Sequence, residues 1–475
     1  MTGRGFAAAL VLGVSLAVGS LVAQPAPAAS PPTWRLDFFH TGGQGVEIFS
    51  VDRVVVEPLP WPGAPSGNLD PGGYGSYRFE VRTPAGAVLY SRGYSPIFAE
   101  WVTTAEAPAM HRTFHESLRF PAPDAPVDVV VFKRGAANRF EEAWRTRVDP
   151  SDMFIDRSTP PKQDVIEVER HGDPTTKVDV LFIGDGYTAG ECAQKFRGDT
   201  RRMADALFSQ EPFRSRRTDF NVWGLCPPSP ASGISRPSTG VHVASPVGAT
   251  YDVFGSERYV LTMENKAFRE IASWAPYEFV TILANNETYG GGGMYNVFST
   301  AAVDNEWADY LFVHEFAHHF GALADEYYTS PVAYQPPATV IEPWEPNVTA
   351  LQDPSSLKWR DLVTAGTPLP TPWPKERFET FSRDLQARRA KIREDRRPES
   401  EMSALFQEEL EFDTRLFATA EHQGHVGAFQ GANYDAAAYY RPSIDCIMFT
   451  RDHVPFCPVC RRTLGRVIDL YTPRR

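Results

Sequence analysis

FVHEFAHHFGALADEYY, residues 312–328, carries two histidines four apart, His314 and His318, with Glu315 directly after the first. On a helix those histidines stand one turn apart on one face, so both imidazoles project toward one point. Glu315 lies roughly 100° further around the helix. There its carboxylate can stand beside a zinc-bound water without ligating the metal. Zinc-assisted hydrolysis needs that division of labour, a Lewis acid that acidifies water and a carboxylate that moves the proton. Apolar YLFV (310–313) precedes the motif and Gly321 closes it, while Asp304 or Asn305 can cap the helix start. The plain alternative is a pair of histidines packed in a core.

Two histidines need a third ligand. In the pattern HExxHxxGxxH a glycine turns the chain after the helix and a histidine three residues on completes the site. Gly321 is in place, but the next position is Ala324, which cannot bind metal; Asp325 and Glu326 follow. Carboxylates just past a helix C-terminus face its partial negative charge and are disfavoured by about 0.3–1 kcal/mol each. Two together imply a nearby cation or full solvation. Asp325 is the leading candidate, Glu326 the second, and His422 or His425 the distant ones; the acid not used can hold a histidine ring.

The whole chain of 475 residues is long enough for two or three domains. Its net charge of −12 argues against a nucleic-acid partner. Residues 1–29 read as a signal peptide: Arg4, an apolar run from Phe6 to Val22, then small residues around Ala23 and Ala28. No second long apolar run follows, so a secreted or periplasmic protein without stable membrane insertion is expected. In that compartment the five cysteines read as disulfides with one left over. A bridge from Cys446 to Cys457 or Cys460 and a second from Cys192 to Cys226 are expected; a Cys446/His453/Cys457/Cys460 zinc site is the alternative.

Residues 31–150 alternate short β-type runs with turns, as in VDRVVVEPL (51–59) and PVDVVVFKR (126–134), which predicts an antiparallel β-sandwich without a chemical constellation. Residues 151–176 read as a linker. From 177 to 475 strands and helices mix: KVDVLFIGDGY (177–187) reads as a buried strand, and Thr188 to Glu191 has the spacing of a capping box. EFVTILANN (278–286) is a second strand. The glycines of YGGGGMYNVFSTAAVD (289–304) suggest a flexible loop entering an exposed edge strand near 294–303, where an extended peptide can pair. Residues 375–415 read as two charged surface helices broken at Pro398.

The run HEFAHHFGALADEYY resembles the signature of the IgA metallopeptidase family, bacterial secreted zinc peptidases with a metzincin-like catalytic domain. Further similar stretches include FIGDGYTAGE (182–191), FNVWGL (220–225), GAFQGANY (427–434), YYRPSIDCIMF (439–449), LDFFHTGG (36–43) and TFHESLRFP (113–121), so the resemblance spans nearly the whole mature chain. It implies zinc on His314 and His318 with Glu315 as general base, and the shared ADEY run favours Asp325 as third ligand. It also makes Met448 the candidate for a methionine-containing turn beneath the metal. The chain departs from the family's expected FEGAGY at Gln430 and Asn433. Tyr439 or Tyr440 can donate to a tetrahedral oxyanion.

The expected fold is α+β multidomain, a β-sandwich followed by a metzincin-like mixed α/β domain. The expected function is a monomeric secreted zinc endopeptidase with one catalytic Zn2+ and an extracellular protein or peptide substrate. The rival is a secreted glycan- or protein-binding protein whose zinc is structural.

Overall fold

The computed structural model describes residues 1–3, 30–64, 67–135, 137–333 and 339–472. Apart from its first three residues, the expected signal segment 1–29 lies outside them. Among the described residues no helix is long and apolar enough to cross a membrane.

The N-terminal part contains β1 (Pro32–Gly43), β2 (Val46–Pro60), β3 (Tyr77–Arg82), β4 (Val88–Tyr94), the short helix α1 (Ile97–Trp101), β5 (Arg112–Pro121), β6 (Val127–Arg134) and β7 (Phe140–Val148). They form two antiparallel sheets, ordered β2-β1-β5 and β4-β3-β6-β7. Alternation explains the pairing of faces: Phe114, Leu118 and Phe120 point inward from β5 while the residues between them do not join the apolar core. Leu36, Phe38, Leu118 and Phe120 from one sheet meet Phe79, Val81, Val129 and Val131 from the other. The outer side is tied to the rest of the chain, as Arg119 Nη1 donates to the Tyr277 carbonyl (2.9 Å) and Arg53 Nη2 to Glu270 (2.8 Å).

The second part begins with β8 (Val165–Glu169), β9 (Val178–Asp185), α2 (Ala189–Ala193), α3 (Lys195–Phe208) and β10 (Phe220–Leu225). A two-stranded ribbon of β11 (Ala249–Thr250) and β12 (Leu261–Thr262) precedes α4 (Asn265–Ala272), β13 (Phe279–Ala284), β14 (Gly291–Met294), β15 (Phe298–Ala302) and α5 (Ala308–Gly321). Then come α6 (Lys375–Glu394), α7 (Glu399–Ala418), the hairpin of β16 (Phe429–Ala432) and β17 (Asp435–Arg441), and α8 (Pro458–Tyr471). The central sheet runs β14-β15-β13-β9-β10-β8, parallel within and antiparallel at both edges. β9 and β13 are buried throughout, as strands covered on both faces must be. Val180, Phe182 and Phe279 face Phe312, Phe316 and Phe320 of α5, while Leu181, Ile183 and Ile282 face Phe268 and Ala272 of α4. Thr188 and Glu191 form the expected capping box at α2.

Several expectations need correction. The linker read over 151–176 contains β8, recruited as an edge strand because it pairs antiparallel with β10. The histidine helix starts later than a cap at Asp304 or Asn305 would place it: Asn305 Oδ1 accepts the Trp307 N–H (3.0 Å) in the turn before Ala308. The glycine run is not a loose loop, since Gly291, Gly292 and Gly293 form β14 itself, and β15 lies inside the sheet rather than at its edge. Cys192 and Cys226 are joined, whereas Cys446, Cys457 and Cys460 are three buried free thiols, with the Cys446 and Cys460 sulfurs 3.9 Å apart. The helices α6 and α7 meet at Pro398, and Phe378, Leu385, Met402 and Phe406 seat them on the body of the protein.

Candidate active site

Helix α5 brings His314 and His318 to one face, their ring centroids 4.8 Å apart. His314 Nδ1 lies 3.0 Å from the Ile447 carbonyl, and His318 Nδ1 hydrogen-bonds the Leu323 carbonyl. A carbonyl can only accept, so each Nδ1 carries a proton and each Nε2 is the ring nitrogen left to bind a metal. Those two Nε2 atoms lie 3.1 Å from each other, and Asp325 Oδ1 lies 2.9 Å from the first and 3.1 Å from the second. Two ring nitrogens and a carboxylate oxygen converging this closely form a pocket for a shared cation. Ligands about 2.0–2.1 Å from a tetrahedral zinc stand about 3.3 Å apart, so the donor set fits after opening by a few tenths of an ångström.

Electrostatics points the same way. Burial raises the Asp325 carboxyl, but the His318 and His314 rings outweigh it and hold it well below the usual carboxylate range. Burial lowers His318, yet Asp325 drives its proton affinity up to about 9. The field at their meeting point favours positive charge.

The chain path after α5 explains how Asp325 arrives. Gly321 is not the turning residue: it remains helical, and a Cβ there would lie 2.6 Å from Leu464 Cδ2, so its role is close packing on α8. The left-handed turn falls on Ala322, at φ 56°. Beyond it Asn347 clamps the extended chain, its Oδ1 accepting the Ala324 N–H (2.8 Å) and its Nδ2 donating to the Ala324 carbonyl (2.9 Å). Successive side chains of an extended segment point to opposite sides. Asp325 therefore faces the histidines and Glu326 faces away, toward Asn347 and Cys460. His422 lies near His425 and neither joins the cluster.

Glu315 is half-buried, lines the same cleft as His318 and Asp325, and has its pKa raised, chiefly by burial. The third histidine, His319, is structural. Its Nδ1 donates to the Met294 carbonyl (3.0 Å) and its Nε2 accepts the Val280 N–H (3.1 Å), which stitches α5 to β14 and β13; burial lowers its pKa to about 3, keeping it neutral.

A family model for the IgA peptidase M64 matches residues 166–468, and one for the peptidase M64 N-terminus matches residues 28–145. The chain belongs to the IgA peptidase M64 family. It is a peptidase, and protein or peptide is its substrate class. No curated protein matches it.

In this peptidase the floor of the site is the turn at Cys446–Phe449, closed by Phe449 N–H donating to the Cys446 carbonyl (2.8 Å). Met448 is buried there, and its carbonyl accepts the Glu326 N–H (2.9 Å). The tyrosine expectation shifts. Tyr439 packs with Val348 and Ala432, and Tyr440 pairs through its backbone with Thr349, so neither lines the cleft. Tyr434 does: its hydroxyl donates to Asp325 Oδ2. It sits in the two-residue turn between β16 and β17, where Asn433 and Tyr434 take φ 49° and 62°. Positive φ at both central residues is the tight-hairpin geometry, but it is costly for a bulky tyrosine, by about 1–3 kcal/mol. The turn is held by Asn433 N–H and Tyr434 N–H donating to the Asp325 and Tyr327 carbonyls (3.0 and 3.1 Å). The GAFQGANY stretch contains this residue, but no local pattern reveals its partner 109 positions away.

Proposed function

We propose that this peptidase is a secreted zinc-dependent endopeptidase, with His314, His318 and Asp325 holding the metal and Glu315 as general base. The carrying observation is the convergence of two Nε2 atoms and one carboxylate oxygen within 2.9–3.1 Å. When bound there, zinc supplies Lewis acidity that acidifies water and polarises the scissile carbonyl.

Glu315 takes a proton from the attacking water and passes it to the leaving amine; its raised pKa brings it nearer the range in which one group can do both. The substrate strand is β14. Ala302 N–H donates to the Gly290 carbonyl (3.0 Å), so by antiparallel alternation Gly292 faces β15, while Gly291 and Gly293 turn their amides outward. The outward groups of Gly291 are used by the Arg258 carbonyl and the Val260 N–H. Gly293 lines the cleft, and its main chain pairs with an extended peptide. Tyr434 holds Asp325 Oδ2 and leaves Oδ1 facing the rings.

Export is supported by Arg4, the apolar run and the small residues that follow. The Cys192–Cys226 disulfide suits an oxidising compartment, so the substrates are extracellular proteins. Glu315→Ala should abolish cleavage of casein while zinc content and thermal unfolding stay as in wild type; undiminished cleavage refutes the assignment. Protein found only in the cytoplasm of its host, with residues 1–29 intact, refutes export.

A further inference from the structure

On the side of the extended segment away from the histidines, Glu326, Cys446, Cys457 and Cys460 each offer an atom within 4.8 Å of the others. All four are buried, Glu326, Cys446 and Cys460 completely. Cys460 Sγ lies 3.9 Å from Cys446 Sγ and 3.4 Å from Glu326 Oε1. Sulfurs on two corners of a tetrahedron around zinc, about 2.3 Å from it, stand about 3.8 Å apart. A disulfide needs about 2.05 Å.

The main chain is arranged to support sulfur as an acceptor. Cys457 caps the start of α8, its Sγ accepting the Cys460 N–H (3.5 Å), and Cys446 Sγ accepts the Cys457 N–H (3.3 Å). Glu326 supplies an independent sign. Its Oε1 accepts from Asn347 Nδ2 (2.9 Å), but Oε2, on a completely buried side chain, has no partner. An oxygen left so costs about 1–3 kcal/mol, unless a cation completes it.

We propose that Cys446, Cys457, Cys460 and Glu326 bind a structural zinc ion, separate from the catalytic centre. Three thiolates and a carboxylate leave the bound site with net negative charge, and the buried guanidinium of Arg441 lies near enough to act on Glu326. His453, the fourth ligand suggested by sequence, stacks on Trp307 instead. The ion would clip together three segments: the extended segment carrying Asp325, the turn whose Ile447 carbonyl fixes the His314 ring, and the first turn of α8. It would brace the catalytic floor without touching substrate.

This inference does not require the peptidase reading of the histidines, and metal stoichiometry separates the two. Full-length protein purified without reductant is measured by elemental analysis, for wild type and for the His314→Ala/His318→Ala double variant. Two zinc ions per chain are expected in wild type and one in the double variant. Titration of the double variant with an organomercurial should release that ion as three thiols react. Alkylation of denatured, chelator-treated, unreduced wild type should modify Cys446, Cys457 and Cys460 together. Glu326→Gln in the double-variant background should release its zinc at about 10-fold lower chelator concentration or less. Any disulfide within the three cysteines, iron in place of zinc, no zinc in a folded double variant, or an unchanged Glu326→Gln titration overturns the assignment. If the double variant does not fold, a single zinc ion in wild type does so.

Discussion

Gly293→Ala should cripple catalysis without removing the metal. A Cβ at Gly293 would lie 2.4 Å from the Glu315 carbonyl oxygen and 2.7 Å from His318 Cβ. Neither neighbour is the end of a flexible chain; both belong to the turn of α5 that carries the site. Restoring ordinary contact requires β14 and α5 to separate by about 1 Å. Overpacking of this kind costs about 1–3 kcal/mol of stability. The same displacement between the substrate strand and the base is worth about 10²-fold in rate, or roughly 2.7 kcal/mol of barrier. The expected result is therefore kcat/KM lower by about 10²-fold on a quenched fluorescent peptide, with zinc retained and unfolding a few degrees earlier. Gly198→Ala is the control. Gly198 lies in α3 with open space around its Cβ position, so alanine there should stabilise by about 0.5–1 kcal/mol and leave the rate alone. Gly293→Ala activity within a factor of about two of wild type would refute both the close approach of β14 and its role as substrate strand.

Asp325→Ala should abolish hydrolysis and weaken zinc at the histidine pair by at least about 10²-fold, read from chelator titration followed by metal analysis; wild-type affinity would return the third position to another group. Tyr434→Phe should keep the fold but lower kcat by about 10–100-fold, because Asp325 Oδ2 loses its donor; unchanged kcat on the peptide assay would remove the hydroxyl from the mechanism. Asp179 and Glu278 form a buried acidic pair far from the chemistry, with Asp179 Oδ2 and Glu278 Oε1 unpartnered and both pKa values raised by burial. The folded state thus keeps protons that the unfolded chain releases above about pH 4, so stability is lost as pH rises from there through neutrality. Asp179→Asn should be more stable than wild type at pH 8 by on the order of 2 kcal/mol and equal to it at pH 4; parallel denaturation curves at both pH values would contradict this.

The meeting of His314, His318 and Asp325 is legible in the sequence because all three belong to one short segment, where helical spacing and a single turn nearly determine it. Alternation likewise reveals most of the sandwich strands, since one face of each must be apolar. What is illegible is long-range or ambiguous in chemistry. Asn347 and Tyr434 act on the segment at 324–326 from 21 to 109 positions away, and an asparagine or tyrosine has no local pattern that names such a partner. The glycine run could equally mean freedom or confinement; only the proximity of Glu315 and His318 shows that it means confinement. Three cysteines in a chain expected to be exported read as a bridge plus a spare, because the carboxylate that makes another outcome possible, Glu326, lies 134 residues from Cys460.

The sandwich also carries more than its sequence suggests. Ser95 and Glu100, from the end of β4 and from α1, line the cleft. The Ser95 N–H donates to the Tyr295 carbonyl (2.9 Å), and Asn296 Nδ2 donates back to the Gly93 carbonyl (2.7 Å). These bonds grip the turn that joins β14 to β15, so the register of Gly293 against α5 is fixed from both sides: by His319 on the Met294 carbonyl and by the sandwich on the following turn. Tyr259, whose neighbours Arg258 and Val260 occupy the outward groups of Gly291, donates its hydroxyl to Glu100. Glu100 has its pKa raised to about 7, chiefly by burial, so part of the cleft's acidity is set by the N-terminal domain. The position of β14 therefore depends on contacts made with the sandwich, which forms one wall of the cleft where the proposed peptide strand would lie.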